Sequence, residues 1–280
     1  MDFSNYHVAC PALLQDRRKW RTTFPGAMDS TFFFQYNEIK HKRLKESHMN
    51  KILGIICAME EELAPLKKIM NLEETRIKAR MEFFKGNIEN VSVVMVVSGI
   101  GKVNAAVCAQ ILADDYQVTH LINAGVAGGV KENIVPMDVV VATSLIQHDM
   151  DVTAFGLKRG EIPRFETSSF TTDERLTSLA LAASRSNHEY NTHEGVIVSG
   201  DQFISSKEKI MDLAEAFDAY ACEMEGAAIA QAAYLNHIPF AVIRAISDNA
   251  NTGASMDYEK FKDLAVENTV SILLHIIRHL

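Results

Sequence analysis

No run of about 18 consecutive apolar residues interrupts this 280-residue sequence, so no membrane-spanning helix is expected. The four cysteines, at positions 10, 57, 108 and 222, include no close pair. That spacing excludes a zinc-binding pattern and a disulfide framework. It fits a reducing, cytoplasmic setting in which each thiol serves as a small buried apolar group. An excess of basic residues is also lacking: the formal net charge is -8, which argues against a nucleic-acid partner. No phosphate-binding G-x-x-x-x-G-K-[ST] loop is present, nor a G-x-S-x-G nucleophile elbow. Gly99-Ile100-Gly101-Lys102-Val103-Asn104 starts like a dinucleotide loop but has asparagine where the third glycine belongs, so no nicotinamide cofactor is expected. His148, Asp149 and Asp151 alternate as a polar loop does, and no metal is expected there. His275 and His279, four apart near the end of the chain, read as a surface helix end. No internal repeat is visible, and no linker after residue 50.

The chain has 48% hydrophobic residues, enough for one large domain or two small ones. Charge is unevenly spread. Residues 1–50 hold eight Lys/Arg against five Asp/Glu, while the remainder holds 20 against 31. Residues 1–48 carry no sustained period of helix or strand, and they mix a basic cluster, Arg17 to Arg21, with an aromatic patch, Phe32 to Phe34. They lack the apolar core of a signal peptide. The expectation is a poorly ordered N-terminal extension, with Met49 as a candidate initiator, followed by one folded domain over residues 49–280.

Within that domain strands and helices alternate. Apolar strands are expected at Ile52–Ala58, His120–Asn123, Val135–Ala142, Glu194–Ser199 and Phe240–Ile246. A meander is expected over 76–98: Arg76–Lys85, a turn at Gly86-Asn87, then Val91–Ser98. Helices are expected at Glu61–Met70, Val103–Asp114, 173–185, Lys207–Ala216, the alanine-rich run after Glu225, and Asp257–Leu280. This alternation predicts an α/β domain of three layers. Ala124-Gly125-Val126-Ala127-Gly128-Gly129 reads as a loop that lets backbone approach a ligand.

What remains unexplained is a set of acids at strand and helix ends: Glu62, Glu225 and Asp248. Ligands of open α/β sheets gather outside the carboxyl ends of strands. Two carboxyl groups with opposed pKa values can divide the work of glycosidic hydrolysis, one taking a proton from water and the other giving one to the leaving group. Dipole complementation at a helix start also explains acids such as Glu60 and Glu61 without any function.

Six stretches occur in order: Ala58-Met59-Glu60-Glu61-Glu62, Ser98 to Val103, Asp149 to Gly156, Ser199 to Ile204, Glu223-Met224-Glu225 and Arg244 to Asp248. Together they closely resemble the bacterial 5′-methylthioadenosine/S-adenosylhomocysteine nucleosidases over roughly residues 50–280. The resemblance implies a nucleoside phosphorylase-like αβα sandwich with a mixed central sheet. It implies hydrolysis of the adenine–ribose bond of a purine nucleoside, without a cofactor. By matched position, Glu62 activates water and Asp248 protonates adenine N7. Glu225 and Met224 grip the ribose, Phe203 stacks on the base, and the Ile204 backbone reads its edge. Gly128, Met59, Ser98, Ile100, Ser247 and Tyr258 shape the site. Phe155 and Pro163 match positions that line the partner's site in a homodimer.

Protonating N7 requires Asp248 to hold a proton near neutrality, so Arg244 is expected to point away from it. Val126 stands where many members of the family carry serine, so a carboxylate or water held by that hydroxyl needs another donor. Three rivals remain: a phosphorolytic enzyme of the same fold, a futalosine hydrolase, and a non-catalytic nucleoside-binding protein. The acidic Met59–Glu62 turn disfavours phosphate.

Overall fold

Ile52–Cys57 (β1) reads Ile-Leu-Gly-Ile-Ile-Cys and is buried from Leu53 onward, which suits a strand with neighbours on both edges. Both neighbours are parallel: Val91–Val97 (β4) on one side and His120–Gly129 (β5) on the other. The computed structural model describes residues 51–249 and 254–280, with side chains over 51–248 and 264–280. The expected extension at 1–48 and the side chain of Tyr258 lie outside these described residues.

The further elements run in alternation: α1 (Glu60–Ile69), β2 (Asn71–Lys78), β3 (Met81–Ile88), α2 (Lys102–Asp115), β6 (Val139–Gln147), a two-residue β7 (Phe170–Thr171), α3 (Glu174–Ser186) and β8 (Thr192–Ser199). After them come α4 (Lys207–Phe217), β9 (Ala219–Glu223), α5 (Gly226–Leu235), β10 (Phe240–Asn249) and α6 (Ala254–His279). The sheet is mixed, as the α/β reading requires. β5 has three partners: β1 and β10, both parallel, and β9, antiparallel. Because β10 continues to β6, β6 to β8 and β8 back to β9, five strands close a ring through β5. The β1-β4-β3-β2 wing extends from the same strand.

Helices cover both faces. One apolar cluster joins α2 and α5 to the sheet through residues such as Cys108, Leu112, Ile229 and Ala233. The other joins α1, α3 and α6 through Leu63, Leu66, Leu176, Ile272 and Ile276. A third, smaller cluster seats α4 against β8 and β9 through Ile210 and Leu213.

Four boundaries differ from expectation, each for a physical reason. The hairpin turn falls at Ala79-Arg80, whose φ values of 49° and 64° are left-handed, not at Gly86-Asn87. Gly86 lies within β3, where a β-carbon would come 2.2 Å from the Asn71 carbonyl oxygen; glycine there permits strand approach rather than a turn. β6 begins at Val139, because the Asp138 carboxylate accepts the Val135 N–H and holds 135–138 as a turn. The glycine-rich stretch 124–129 is the second half of β5, not a loop. Ala219–Glu223 forms β9, a strand that was not expected; the alanine-rich helix starts at Gly226, after Glu225 as expected.

Candidate active site

Four carboxylates, those of Glu62, Glu223, Glu225 and Asp248, meet at the carboxyl ends of β1, β5, β9 and β10, in a cavity of about 300 Å³; of these, Glu223 is paired with Arg244. That volume lies at the lower end of the range for small-molecule clefts. Glu62, Glu225 and Asp248 are all buried, at 3%, 6% and 3% exposure.

Glu62 sits in the first turn of α1 and folds back over it. Its Oε2 accepts the N–H groups of Ala58 (2.9 Å) and Met59 (3.0 Å), which the helix cannot satisfy internally. Its Oε1 accepts the N–H of Val126 at 3.1 Å. The backbone of Val126 thus supplies the donor that its side chain lacks. Gly125 makes the approach possible: a β-carbon there would stand 2.6 Å from Oε1. Burial pushes the Glu62 carboxyl above its usual range, against the opposing pull of Arg244 and the three N–H groups.

Glu225 occupies the N-cap position of α5. Its Oε1 accepts the Gly101 N–H at 2.8 Å. Burial, then the charge of Glu223, raises its carboxyl to about 7, while Arg244 and the Gly101 N–H act in the other direction.

Asp248 lies near the end of β10. Ile246 pairs with Ala127 and Asp248 with Gly128, so Ser247 is surplus in the register. That extra residue takes Asp248 out of the alternation that carries Arg244 and Ile246. The Ser247 hydroxyl donates to Asp248 Oδ2 at 2.8 Å. Gly128 faces it, at a position where a β-carbon would be 3.3 Å from Oδ1.

Arg244, 1% exposed, engages Glu223 and Asn123, as the expectation that it points away from Asp248 requires. Glu223 also accepts the Ser199 hydroxyl and the N–H groups of Glu225 and Gly226, so it caps α5 as well as balancing the arginine. Burial raises the Glu223 carboxyl, but the guanidinium and these hydrogen bonds outweigh it and hold the group below its usual range.

Met59, Ile100, Gly128, Phe203, Met224 and Ser247 line the cavity together with the four acids. Ser98 is buried beneath the rim, its Oγ 2.9 Å from the Gly99 carbonyl oxygen. Ile204 is buried beside Phe203 in the α4 cluster and lines a neighbouring cavity of about 260 Å³ that also contains His148 and Asp149. Phe155 and Pro163 are exposed and stand outside the lining of the acidic cavity. Sequence reasoning passed over Cys222, Ala58 and Ala127 in the lining, and over Glu223 and Asn123 around Arg244. A glutamate two residues before another on a helix start, plus an arginine in an apolar strand, was the available signal for that pair. Among the described lining residues none is Lys, Arg or His.

The chain is similar to known proteins over most of its length. The phosphorylase superfamily model matches residues 52–278. A 5′-methylthioadenosine/S-adenosylhomocysteine nucleosidase of Staphylococcus carnosus is 40% identical over 231 residues, covering 82% of this chain and all of that one. The solved nucleosidase of the same description from Neisseria meningitidis, in complex with methylthio-immucillin-A, is 34% identical with a TM-score of 0.78, covering 82% of this chain and 100% of that one. A futalosine hydrolase of Helicobacter pylori is 33% identical with a TM-score of 0.78, covering 83% and 100%. The resemblance carried by the six motifs is borne out: this chain belongs to the phosphorylase superfamily and, within it, to the 5′-methylthioadenosine/S-adenosylhomocysteine nucleosidase family.

Proposed function

We propose that the protein hydrolyses the N-glycosidic bond of 5′-methylthioadenosine, S-adenosylhomocysteine and 5′-deoxyadenosine, releasing adenine and the 5-substituted ribose. The observation that carries this reading is the convergence of Glu62, Glu225 and Asp248, beside the Arg244-paired Glu223, on one cavity with no cationic side chain in its described lining. Such a cavity suits a developing ribosyl cation and repels phosphate.

In this mechanism Glu62 takes a proton from water as the water oxygen bonds to the anomeric carbon. The bond from that carbon to adenine N9 breaks, its electron pair moves onto the base, and Asp248 delivers a proton to N7. Glu225 accepts from the ribose hydroxyls and complements the cationic sugar. Met224 packs under the ribose, Phe203 stacks on adenine, and the Ile204 backbone reads its edge. Met59, Ser98, Ile100, Gly128, Ser247 and Tyr258 shape the pocket. The protein acts as a cytoplasmic homodimer in which Phe155 and Pro163 reach the partner's 5′-substituent pocket; Phe155, 75% exposed, supports that assignment. The reaction serves methionine salvage and methyl-cycle recycling. Residues 49–280 form the nucleosidase domain, and 1–48 an extension to it.

The likeness to the Helicobacter pylori futalosine hydrolase favours one second reading, hydrolysis of futalosine at the same site. Adenine release from 5′-methylthioadenosine, measured with and without phosphate and beside a futalosine assay, tests both. Equal rates and free 5-methylthioribose are expected. A phosphate requirement, or activity on futalosine alone, overturns the main reading, and binding without turnover identifies a nucleoside-binding protein.

A further inference from the structure

The turn that holds Glu225 has little conformational preference of its own. It contains two glycines of positive φ, Gly99 at 81° and Gly101 at 99°, and glycine, lacking a β-carbon, leaves the backbone many other conformations. The helix it opens, α2, has no side-chain cap and no acid in its first turn. From within, Asn104 Nδ2 donates to the Ile100 carbonyl oxygen at 2.8 Å; from outside, Asp201 and Asp149 hold the turn through Lys102. Asp201, from the segment after β8, accepts the Lys102 N–H at 2.8 Å and supplies the missing cap. Asp149, from the segment after β6, takes the Lys102 ammonium on Oδ1 and the Asp201 N–H, at 3.0 Å, on Oδ2. These bonds form a closed ring through three segments. Lys102 Nζ also donates to Gln147 at 3.0 Å, and Gln147 donates to Gln231 of α5, the helix that Glu225 opens.

The ring touches the site at two points. The N–H next to Lys102, that of Gly101, grips Glu225. Two residues beyond Asp201 lies Phe203, at the cavity mouth. The Lys102–Asp149 pair is only 17% exposed on each side, so it escapes most of the screening that makes surface pairs worthless. A β-carbon on residue 101 would approach the Asp201 carboxylate to 3.1 Å, which ties the glycine to the same contact.

We propose that Lys102, Asp149 and Asp201 are positioning residues, a latch that locks the cavity rim and thereby holds Glu225 and Phe203 in working geometry. This rests on the reading of the cavity as a purine nucleosidase site. None of the three reaches the reacting atoms; they act through the Gly101 N–H and the 201–204 segment.

The test is steady-state adenine release from 5′-methylthioadenosine by Lys102→Met, Asp149→Ala and the double variant, with thermal unfolding of each. Misplacement of a binding group by about 1 Å can cost on the order of a hundredfold in rate, so each single variant is expected to lose about tenfold or more in kcat/KM, with KM raised. The double variant should be no worse than the poorer single, because both break one ring. Lys102→Arg should retain more activity than Lys102→Met. Should Asp149→Ala not fold, Asp149→Asn, which keeps the shape and removes the charge, takes its place. Variants that unfold earlier yet keep wild-type kcat/KM, or losses that multiply in the double variant, overturn the latch. A wild-type enzyme that releases no adenine overturns the parent reading and the latch with it; an active wild type with unaltered variants overturns the latch alone.

Discussion

Arg244 and Glu223 pair with side chains only 2% exposed on each partner, and Glu223 lines the same cavity as Glu62 and Glu225. The guanidinium lowers the pKa of Glu62, Glu223 and Glu225 alike. Replacing it with methionine strands a buried carboxylate. Loss of one partner of such a pair costs about 3–5 kcal/mol, so Arg244→Met should show that drop in urea unfolding. The acidic limb of its kcat/KM profile should move to higher pH, since Glu62 and Glu225 lose their nearest cation.

Glu225 gives stability a pH signature. Its carboxyl titrates at about 7 in the fold against an ordinary 4.5, so between these values the folded state keeps a proton that the unfolded chain has lost. This contribution is fully present below about 4.5 and vanishes as pH rises through about 7. Unfolding free energy compared at pH 5 and pH 8 should fall more in the wild type than in Glu225→Gln.

Glu62→Gln and Asp248→Asn should each abolish adenine release while leaving nucleoside binding largely intact. General acid and base groups typically contribute about 10²- to 10⁴-fold. Full turnover by either variant removes the role assigned to it; isothermal titration with 5′-methylthioadenosine separates binding from chemistry.

Two glycines of β5 should respond unequally to a methyl group. In Gly125→Ala the new carbon would meet Glu62 Oε1 at 2.6 Å and force the carboxylate from its three N–H donors. In Gly128→Ala the contact with Asp248 is 3.3 Å, which a small shift relieves. Turnover by the first should fall by about a hundredfold, and by the second far less.

The β2–β3 turn offers a test of the fold apart from the site. Ala79 and Arg80 both adopt left-handed conformations that favour Asn-Gly. The double substitution Ala79→Asn/Arg80→Gly should raise stability by about 1 kcal/mol, read as a higher Tm, with adenine release unchanged.

That same turn marks where sequence reasoning stopped. Ala79-Arg80 carries no turn residue, whereas Gly86-Asn87 carries two and lies in a strand, because the bulge between Leu72 and Glu74 of β2, opposite Gly86, needs close backbone approach. The apolar runs of β1, β4 and the first part of β10 were legible because burial on both faces demands them. The second half of β5 was not: its alanines and glycines are small because Glu62 and Asp248 crowd it from above, a tertiary demand that local propensity does not record. The acids were legible by chemistry and by the six motifs. The Glu223–Arg244 pair was not, since β9 is only five residues long and runs straight into the alanine-rich helix.

The surplus residue at Ser247 has a consequence for how this site can change. Arg244 and Asp248 are four positions apart, and strict two-residue alternation would turn them toward the same side, where the cation would disfavour the protonated form that the proposed acid role needs. Which groups face the aspartate is set here by a count, not by a choice of side chain. Deleting that one residue would exchange the neighbours of the aspartate in a single step, and with them, under the proposed mechanism, its fitness to protonate the leaving base.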